Sequence, residues 1–294
     1  MSMNNKEQEA IWKEFLKTEP TTSDLCDILA KKNDYFDLAI KRLLESGPSN
    51  SDLLYIIRGA GPLREQVWEK LVDQGPSNDD LVYIINWVEP LRARAWKKLL
   101  DQSPSNNDLR YIIKWVRSLR DEAWDKLLEQ EPSNSDLEWI VRYVDSLRDE
   151  AWEKRCKSGI SNWYLRRVIE SVEPLRQGAG KKLLEQCPDK DDLRCIIRYV
   201  EPLREEAWKK LLEQGRIIGD LPYVIVWVEP LREEAWKKLL EQGPDNHGLR
   251  CVIENVEPLR AEAWKKLLEQ GPTKEDLLFI IKRVEPLQYE AWEK

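Results

Sequence analysis

The chain has 294 residues, and 41% of them are hydrophobic, enough to bury a substantial core. Its net charge of -7 argues against a protein whose main work is sequence-independent phosphate binding, because that affinity needs clustered Lys and Arg. No apolar run reaches the roughly eighteen residues of a membrane span, no signal peptide is visible, and five scattered cysteines suggest no disulfide framework, so we expect a soluble cytoplasmic protein.

From the N-terminus to the last residues, tryptophan recurs in one 28-residue register that has no insertion. A strict period of this length is typical of repeat proteins in which each unit stacks on its neighbours. Ile40 and Gly180 occupy the same register without a tryptophan. The core tryptophans of the register are Trp12, Trp68, Trp96, Trp124, Trp152, Trp208, Trp236, Trp264 and Trp292.

Each repeat contains two short predicted helices, of which the first starts near a proline such as Pro202 and ends at Gln214–Gly215. Proline suits the first helical position because its missing N–H would be unpaired there, and glycine suits the position after a helix end. In two repeats Ser118 and Ser146 replace the proline, each followed three residues later by aspartate, which predicts a capping box.

The second helix follows a Pro-Ser-Asn turn, in which a serine such as Ser77 is expected to cap the helix and Asp80 to lie in its first turn. Its apolar residues follow the i, i+3, i+4, i+7 spacing of an amphipathic helix. Such short helices are marginal alone, so each must bury this stripe against its neighbours. In one repeat the stripe is Leu81, Ile84, Ile85 and Val88.

Two charged columns share the period of the core tryptophans. A buried arginine needs a partner, so we expect a ladder of Arg–Asp pairs between helices rather than an anion site. The first-helix arginines are Arg64, Arg92, Arg120, Arg148, Arg176, Arg204, Arg232 and Arg260, and the aspartate column is Asp52, Asp80, Asp108, Asp136, Asp192, Asp220 and Asp276.

The outward positions of the second helices vary between repeats, and many hold tyrosine, tryptophan or arginine. This composition is enriched at the centres of protein interfaces. The alternative is that the rings only fill the grooves between successive second helices. The candidate binding residues are Tyr83, Trp87, Tyr111, Trp115, Trp139, Tyr143, Tyr199, Tyr223, Trp227, Arg110, Lys114, Arg142, Arg166, Arg194 and Arg198.

Two stretches depart from the repeat, and such departures mark function or strain. Near 155–180, Arg155 replaces a leucine and Gly180 a tryptophan, so we expect local repacking or a bend. In 215–227 the Pro-Ser-Asn turn is lost and Pro222 is expected to disturb the helix start. Ile217, Ile218 and Val226 make this stretch a candidate hydrophobic hot spot, with sequence drift as the alternative.

Residues that carry catalysis are scarce. His247 is the only histidine, no glycine-rich phosphate loop is found, and the carboxylates occupy repeated surface and capping positions. We therefore expect no enzyme activity, no metal site and no cofactor.

Together, the paired helices, the 28-residue register and the Trp, Leu and Ile columns resemble the helical-repeat class that includes HEAT, armadillo and TPR arrays. The 28-residue unit is shorter than theirs and lacks the TPR small-residue pattern, so no family is assigned. We expect one all-α domain over 1–294, a right-handed α-α superhelix, or solenoid, of about ten helix-turn-helix repeats and a final half repeat. The resemblance implies a scaffold that binds proteins on a concave surface.

The leading functional hypothesis is a non-enzymatic protein-interaction scaffold or sensing arm, which holds a protein or peptide on its second helices. The alternatives are nucleic-acid binding, against which the acidity of the chain counts, and a structural spacer without a ligand. The chain stops inside a first helix at Trp292, so we also expect either a piece of a longer protein or self-association through that end.

Overall fold

The structure is a computed structural model that describes residues 5–18, 20, 24–25, 36–215 and 217–294. These residues form α-helices joined by turns and short 3₁₀ helices, with no strand among them. In chain order the α-helices are α1 (Asn5–Leu16), α2 (Phe36–Glu45), α3 (Asn50–Ile57), α4 (Arg64–Asp73), α5 (Asn78–Trp87), α6 (Arg92–Asp101), α7 (Asn106–Trp115), α8 (Arg120–Glu129), α9 (Asn134–Tyr143), α10 (Arg148–Lys157), α11 (Asn162–Ser171), α12 (Arg176–Glu185), α13 (Lys190–Tyr199), α14 (Arg204–Glu213), α15 (Leu221–Trp227), α16 (Arg232–Gln242), α17 (Asn246–Asn255), α18 (Arg260–Gln270), α19 (Lys274–Arg283) and α20 (Gln288–Trp292).

First and second helices alternate along the chain. The odd-numbered helices from α3 to α19 are second helices, and α1 and the even-numbered helices are first helices. A second helix such as α5 packs against the first helix that follows it and against the next second helix. The predicted all-α solenoid of stacked helix pairs is confirmed.

Contacts divide the chain into two compact units, Met1–Ala151 and Trp152–Lys294. Both units are built from the same repeat of helix pairs. The single repeat domain over 1–294 stays a prediction.

The predicted core is confirmed in the described repeats. Leu81, Ile84, Ile85 and Val88 of the apolar stripe are buried. The core tryptophans from Trp12 to Trp264 are between 1% and 8% exposed, which fits the expected role in packing between repeats. Trp292, in the last helix, is 76% exposed.

The start of the first helices differs from the prediction. Pro202 lies in a 3₁₀ helix, Glu201–Leu203, and the α-helix begins only at Arg204. The capping boxes predicted at Ser118 and Ser146 are wrong, because both serines lie inside 3₁₀ helices that have no side-chain cap, and the residue at the cap of α8 is Leu119. The 3₁₀ helix already pairs the first amides with backbone carbonyls, so few donors are left for a serine.

By contrast, the caps of the second helices are as predicted. The Ser77 hydroxyl accepts a hydrogen bond from the Asp80 amide, and the Asp80 carboxylate accepts one from the Ser77 amide. The same reciprocal pair caps α3, α7 and α9. In α13 an aspartate and in α19 a threonine takes the place of the serine.

The predicted ladder between the first-helix arginines and the aspartate column is wrong. Each of these eight arginines donates its Nε–H to a carbonyl in the last turn of the preceding second helix, at 2.7 to 3.2 Å. The C-terminal end of a helix leaves carbonyls without hydrogen-bond partners and carries partial negative charge. A guanidinium donates to such a carbonyl, and its positive charge is favourable at this end. The aspartates have other partners, described below.

The stretch near 155–180 is repacked as expected, and the second stretch has the disturbed helix start that Pro222 predicts. Arg155 is buried, donates to the Gly159 carbonyl and lies over the Tyr164 ring at 5.3 Å. At Gly180 an added Cβ would lie 3.0 Å from Leu203, so neighbouring side chains occupy the space next to this glycine. In the second stretch, α15 has only seven residues and lacks a side-chain cap.

Most repeats place glycine in left-handed backbone after the first helix, as at Gly243 with φ of 76°. Ser103, Glu131 and Cys187 occupy the same position with φ of 55°, 53° and 56°. A residue with a Cβ pays about 1 kcal/mol in this conformation. The backbone is therefore strained at these three positions but not at the glycines that occupy the same position in other repeats.

We predict that Glu131→Gly raises the free energy of unfolding by about 1 kcal/mol, because glycine removes the left-handed strain. Gly243→Ala is expected to lower it by a similar amount, although nothing lies within 4 Å of an added Cβ there. Urea unfolding followed by circular dichroism measures both changes. A destabilised Glu131→Gly chain would show that backbone strain is not the dominant effect.

The two kinds of serine give a second prediction. Ser105→Ala removes a reciprocal cap of α7 and is expected to cost about 1 kcal/mol, whereas Ser118→Ala is expected to cost less than about 0.5 kcal/mol. Both serines are exposed, so burial does not separate them. Equal losses in the same unfolding assay would contradict the assignment of Ser118 to an uncapped 3₁₀ helix.

Candidate binding surface on the second helices

Four outward columns of the second helices form the candidate surface. They begin at Leu54, Tyr55, Arg58 and Gly59 and recur every 28 residues as far as Arg283. In these columns the second helices carry eleven basic and three acidic residues, although the whole chain has a net charge of -7. The surface is therefore locally basic on an acidic protein.

Many of the predicted aromatic residues are exposed on this surface. Trp87 and Trp115 in the first unit are 50% and 58% exposed, and Trp227 in the second unit is 56% exposed. Tyr111 and Tyr143 are exposed as well. The half-buried rings are Tyr83, Trp139, Tyr199 and Tyr223.

One set of outward arginines is bound by the aspartate column. Arg110 Nη1 lies 3.1 Å from Asp136 Oδ1, and Arg194 Nη1 lies 3.0 Å from Asp220 Oδ1. Each pair joins a second helix to the next one. The paired arginines are Arg110, Arg166, Arg194 and Arg250, each with the aspartate 26 residues further on.

Three of these paired arginines, Arg110, Arg194 and Arg250, also lie over a ring, and a second set of outward cations lies over aromatic rings without a carboxylate contact in the described residues. The Lys114 ammonium is 4.8, 5.4 and 4.6 Å from the ring centres of Trp115, Trp139 and Tyr143. Arg198, three repeats later, is 5.0, 5.7 and 4.4 Å from the rings of Tyr199, Tyr223 and Trp227. These distances are those of cation–π contacts.

The stacked cations are Arg58, Lys114, Arg142 and Arg198, where Arg58 lies over Trp87 and Arg142 over Tyr143. Within the part of the chain that the structure describes, none of the four pairs with a carboxylate. A hydrogen bond to the Tyr223 hydroxyl, at 3.2 Å, raises the pKa of Arg198. No carboxylate of the described residues therefore neutralises the charge of these four cations.

In the second unit, α11, α13 and α15 enclose a groove of about 450 Å³. Arg166, Arg194 and Arg198 line it together with Trp163 and Tyr199. Cys195 stands where other repeats carry a tyrosine or tryptophan, so the groove occupies the place of a missing ring. Burial raises the pKa of the Cys195 thiol to about 12, which keeps it protonated.

Of the three residues of the predicted hydrophobic hot spot, the structure buries one and leaves the other two partly exposed. Ile217 is 1% exposed and packs in the core, so it contributes nothing to the surface in this conformation. Ile218 and Val226 are half-buried and line a cavity of about 280 Å³ with Trp227 and His247. Loss of the Pro-Ser-Asn turn lets the chain fold inward at Ile217, which the sequence did not reveal.

Several surface residues were missed among the sequence candidates. Tyr55, Arg58 and Trp163 are exposed in or beside the same columns. Cys251 Sγ lies 3.8 Å from His247 Nε2, a pair whose i,i+4 spacing was a visible signal. Burial raises the pKa of Cys251, so this thiol is no ready nucleophile.

Asparagine of the Pro-Ser-Asn turn is a structural residue that the sequence reasoning also missed. Its side-chain amide donates to the aspartate of the next repeat, as from Asn106 to Asp136 at 2.8 Å and from Asn162 to Asp192 at 2.7 Å. We call this series the Asn–Asp ladder. Its other rungs are Asn50–Asp80, Asn78–Asp108 and Asn246–Asp276.

The described residues contain no group of His, Cys, Asp and Glu side chains arranged to hold a metal ion. No helix in the described ranges is long and apolar enough to cross a membrane. Cys156, Cys187, Cys195 and Cys251 are free thiols, whereas Cys26 lies outside the described residues. Comparison with protein-family models, curated proteins and solved structures finds no match.

The aspartates of the ladder predict how stability depends on pH. Burial of Asp276 opposes its ionisation, but hydrogen bonds from Thr273 and Asn246 and the charge of Arg250 outweigh burial and lower its pKa. The folded state therefore favours the carboxylate over the acid. Its stabilisation is present above the ordinary aspartate pKa of about 3.9 and is lost as the pH falls through the lower folded pKa.

We predict that the free energy of unfolding falls below about pH 4 and that Asp276→Asn makes this fall less steep. At neutral pH the variant is expected to lose about 2 kcal/mol, because Arg250 keeps a weaker partner. Urea unfolding over a pH series measures both effects. Glu275→Gln, an exposed neighbour, is the control, and identical slopes for the two variants would contradict the assignment.

Proposed function

We propose that this protein is a non-enzymatic scaffold that binds a protein or peptide on the outward columns of its second helices. The main support is that large aromatic side chains are about half exposed at the same position of successive repeats, as Trp87 and Trp115 are in the first unit. A protein that gained nothing from these rings would not be expected to keep so much apolar area in water.

Packing alone does not account for these rings. The core tryptophans show what packing demands, since Trp124 and Trp208 are 2% and 1% exposed. Trp115 and Trp227, which lie on second helices, are far more exposed than these core tryptophans. Filling of the grooves between second helices fits Trp139, which is half-buried, but not Trp115.

The surface is also preorganised. A cation over a ring restrains both side chains before a partner arrives, as with Lys114 over Trp115. Such restraint reduces the entropy that binding would otherwise cost. Tryptophan, tyrosine and arginine are also the residues that dominate interface energetics.

Nucleic acid is the second candidate, supported by the excess of basic residues in the outward columns. Stacking bases need open ring faces, however, and cations of the chain itself lie over Trp87, Trp115 and Trp227. These cations over the ring faces favour a peptide over a nucleic acid as the ligand.

The free thiols suit a reducing compartment, so we propose that the protein is cytoplasmic.

The test uses a library of random peptides displayed on phage, selected on the immobilised full chain, with affinities then measured by calorimetry. The variant carries Trp87→Ser, Tyr111→Ser, Trp115→Ser and Tyr143→Ser. We expect at least about a hundredfold loss of affinity, as for two interface hot spots, with little loss of stability.

Tyr289→Ser with Trp292→Ser is the matched control, because both side chains are exposed and lie outside the outward columns. Circular dichroism confirms that each variant is folded. A peptide that binds wild type and the fourfold variant equally well would refute this surface as the binding site. Failure to select any peptide would favour the spacer.

A further inference from the structure

Nine of the eleven outward basic residues lie in two of the four columns, and the two columns differ in whether a carboxylate neutralises the charge. The paired arginines, Arg110 among them, are each neutralised by an aspartate of the next repeat. The stacked cations lie four residues further along the same helices, as Lys114 does, and have no carboxylate partner in the described residues. The paired arginines join neighbouring repeats through ion pairs, and the stacked cations are available to an anionic ligand.

Three stacked cations follow each other in the first unit. Arg58, Lys114 and Arg142 lie at one register, with neutral Asn86 between the first two. Asn86 donates to the Tyr111 hydroxyl at 3.3 Å. Arg58 and Arg142 are exposed, and Lys114 is half-buried among its rings.

The charge that faces this register is positive. Of the charged groups in the outward columns of the first unit, Glu138 is the acidic one, and Arg110 is neutralised by Asp136. The three stacked cations therefore outnumber the one acidic side chain in the outward columns of this unit. A ligand with several negative charges is complementary to this face.

The distance between neighbouring repeats sets the spacing that the negative charges of such a ligand need. Neighbouring packed helices lie about 10 Å apart, and an extended chain advances about 3.3 Å per residue. Three residues of an extended peptide thus span one repeat. Carboxylates at every third residue would meet successive stacked cations.

Resting on the proposed function, we propose that the first unit binds an extended acidic peptide with carboxylates at every third residue. Two of these carboxylates meet Lys114 and Arg142, and a third meets Arg58 two repeats away. The peptide position that faces Asn86 needs no charge. Apolar side chains between the carboxylates contact Trp87 and Trp115, which are 50% and 58% exposed.

The test compares two peptides of equal composition by fluorescence anisotropy with the full chain. One has the sequence Glu-Leu-Ser repeated four times, and the other has the same residues with its glutamates adjacent. We expect the first to bind about tenfold more tightly and its affinity to fall as salt is added. Equal affinities would overturn the every-third-residue rule.

Lys114→Gln with Arg142→Gln is expected to weaken binding of the spaced peptide about tenfold and to reduce its salt dependence. Lys41→Gln with Lys97→Gln, on exposed first-helix positions, is the charge-matched control and is expected to change affinity less than about twofold. Equal losses for both double variants would reduce the effect to overall charge and overturn the proposal.

Two further outcomes separate this inference from the proposed function. If peptides selected from the random library need Trp87 and Trp115 but bind independently of salt and of Lys114, the scaffold stands and the acidic ligand is wrong. An oligothymidylate that binds more tightly than the spaced peptide and is lost in the Lys114 variant would assign the surface to nucleic acid instead.

Discussion

A carboxylate near the start of most second helices joins one repeat to the next, whereas Tyr164 and Gly248 occupy its position in two repeats. Asp136 accepts hydrogen bonds from the amide and hydroxyl of Ser133 in its own helix cap and from Asn106 of the preceding repeat, and it pairs with Arg110. A helix N-terminus favours negative charge, so the cap and the contact between repeats use the same charge. The start of such a second helix is therefore fixed by the repeat before it. In Asp192 the carboxylate is 0% exposed and the Arg166 contact lacks hydrogen-bond geometry, which leaves Asn162 as the main donor from outside its own cap.

Arginine has three separate roles in this chain, and its position in the repeat decides which. First-helix arginines such as Arg204 close the end of the preceding second helix by a bond to its carbonyl. Paired arginines such as Arg194 neutralise the ladder, and stacked cations such as Arg198 lie over rings with no carboxylate nearby in the described chain. The third role also joins neighbouring repeats, since Arg198 donates a hydrogen bond to the Tyr223 hydroxyl of the next one.

The sequence predicted the period, the core tryptophans, the apolar stripe and the serine caps, since each follows from local spacing. It assigned the aspartate column to the wrong arginines, because Arg92 and Arg110 belong to columns of equal period and spacing alone cannot say which reaches an aspartate. It missed the ladder because Asn106 reads as a turn residue until the next repeat is placed beside it. Ile217 was expected outside because its burial depends on how a shortened helix closes onto the core, which no local pattern encodes.

The irregular repeats show how far the outward columns can vary. Where Arg167 and Cys195 replace rings and a groove opens, Asn162 and Arg166 still reach Asp192. Where the turn before α15 is lost, Asp220 no longer caps the helix but keeps its contact with Arg194 at 3.0 Å. The contacts between repeats thus survive changes in both the surface and the turn. Replacement of a ring in the outward columns, as at Arg167 and Cys195, therefore leaves the hydrogen bond of the Asn–Asp ladder at Asp192 in place.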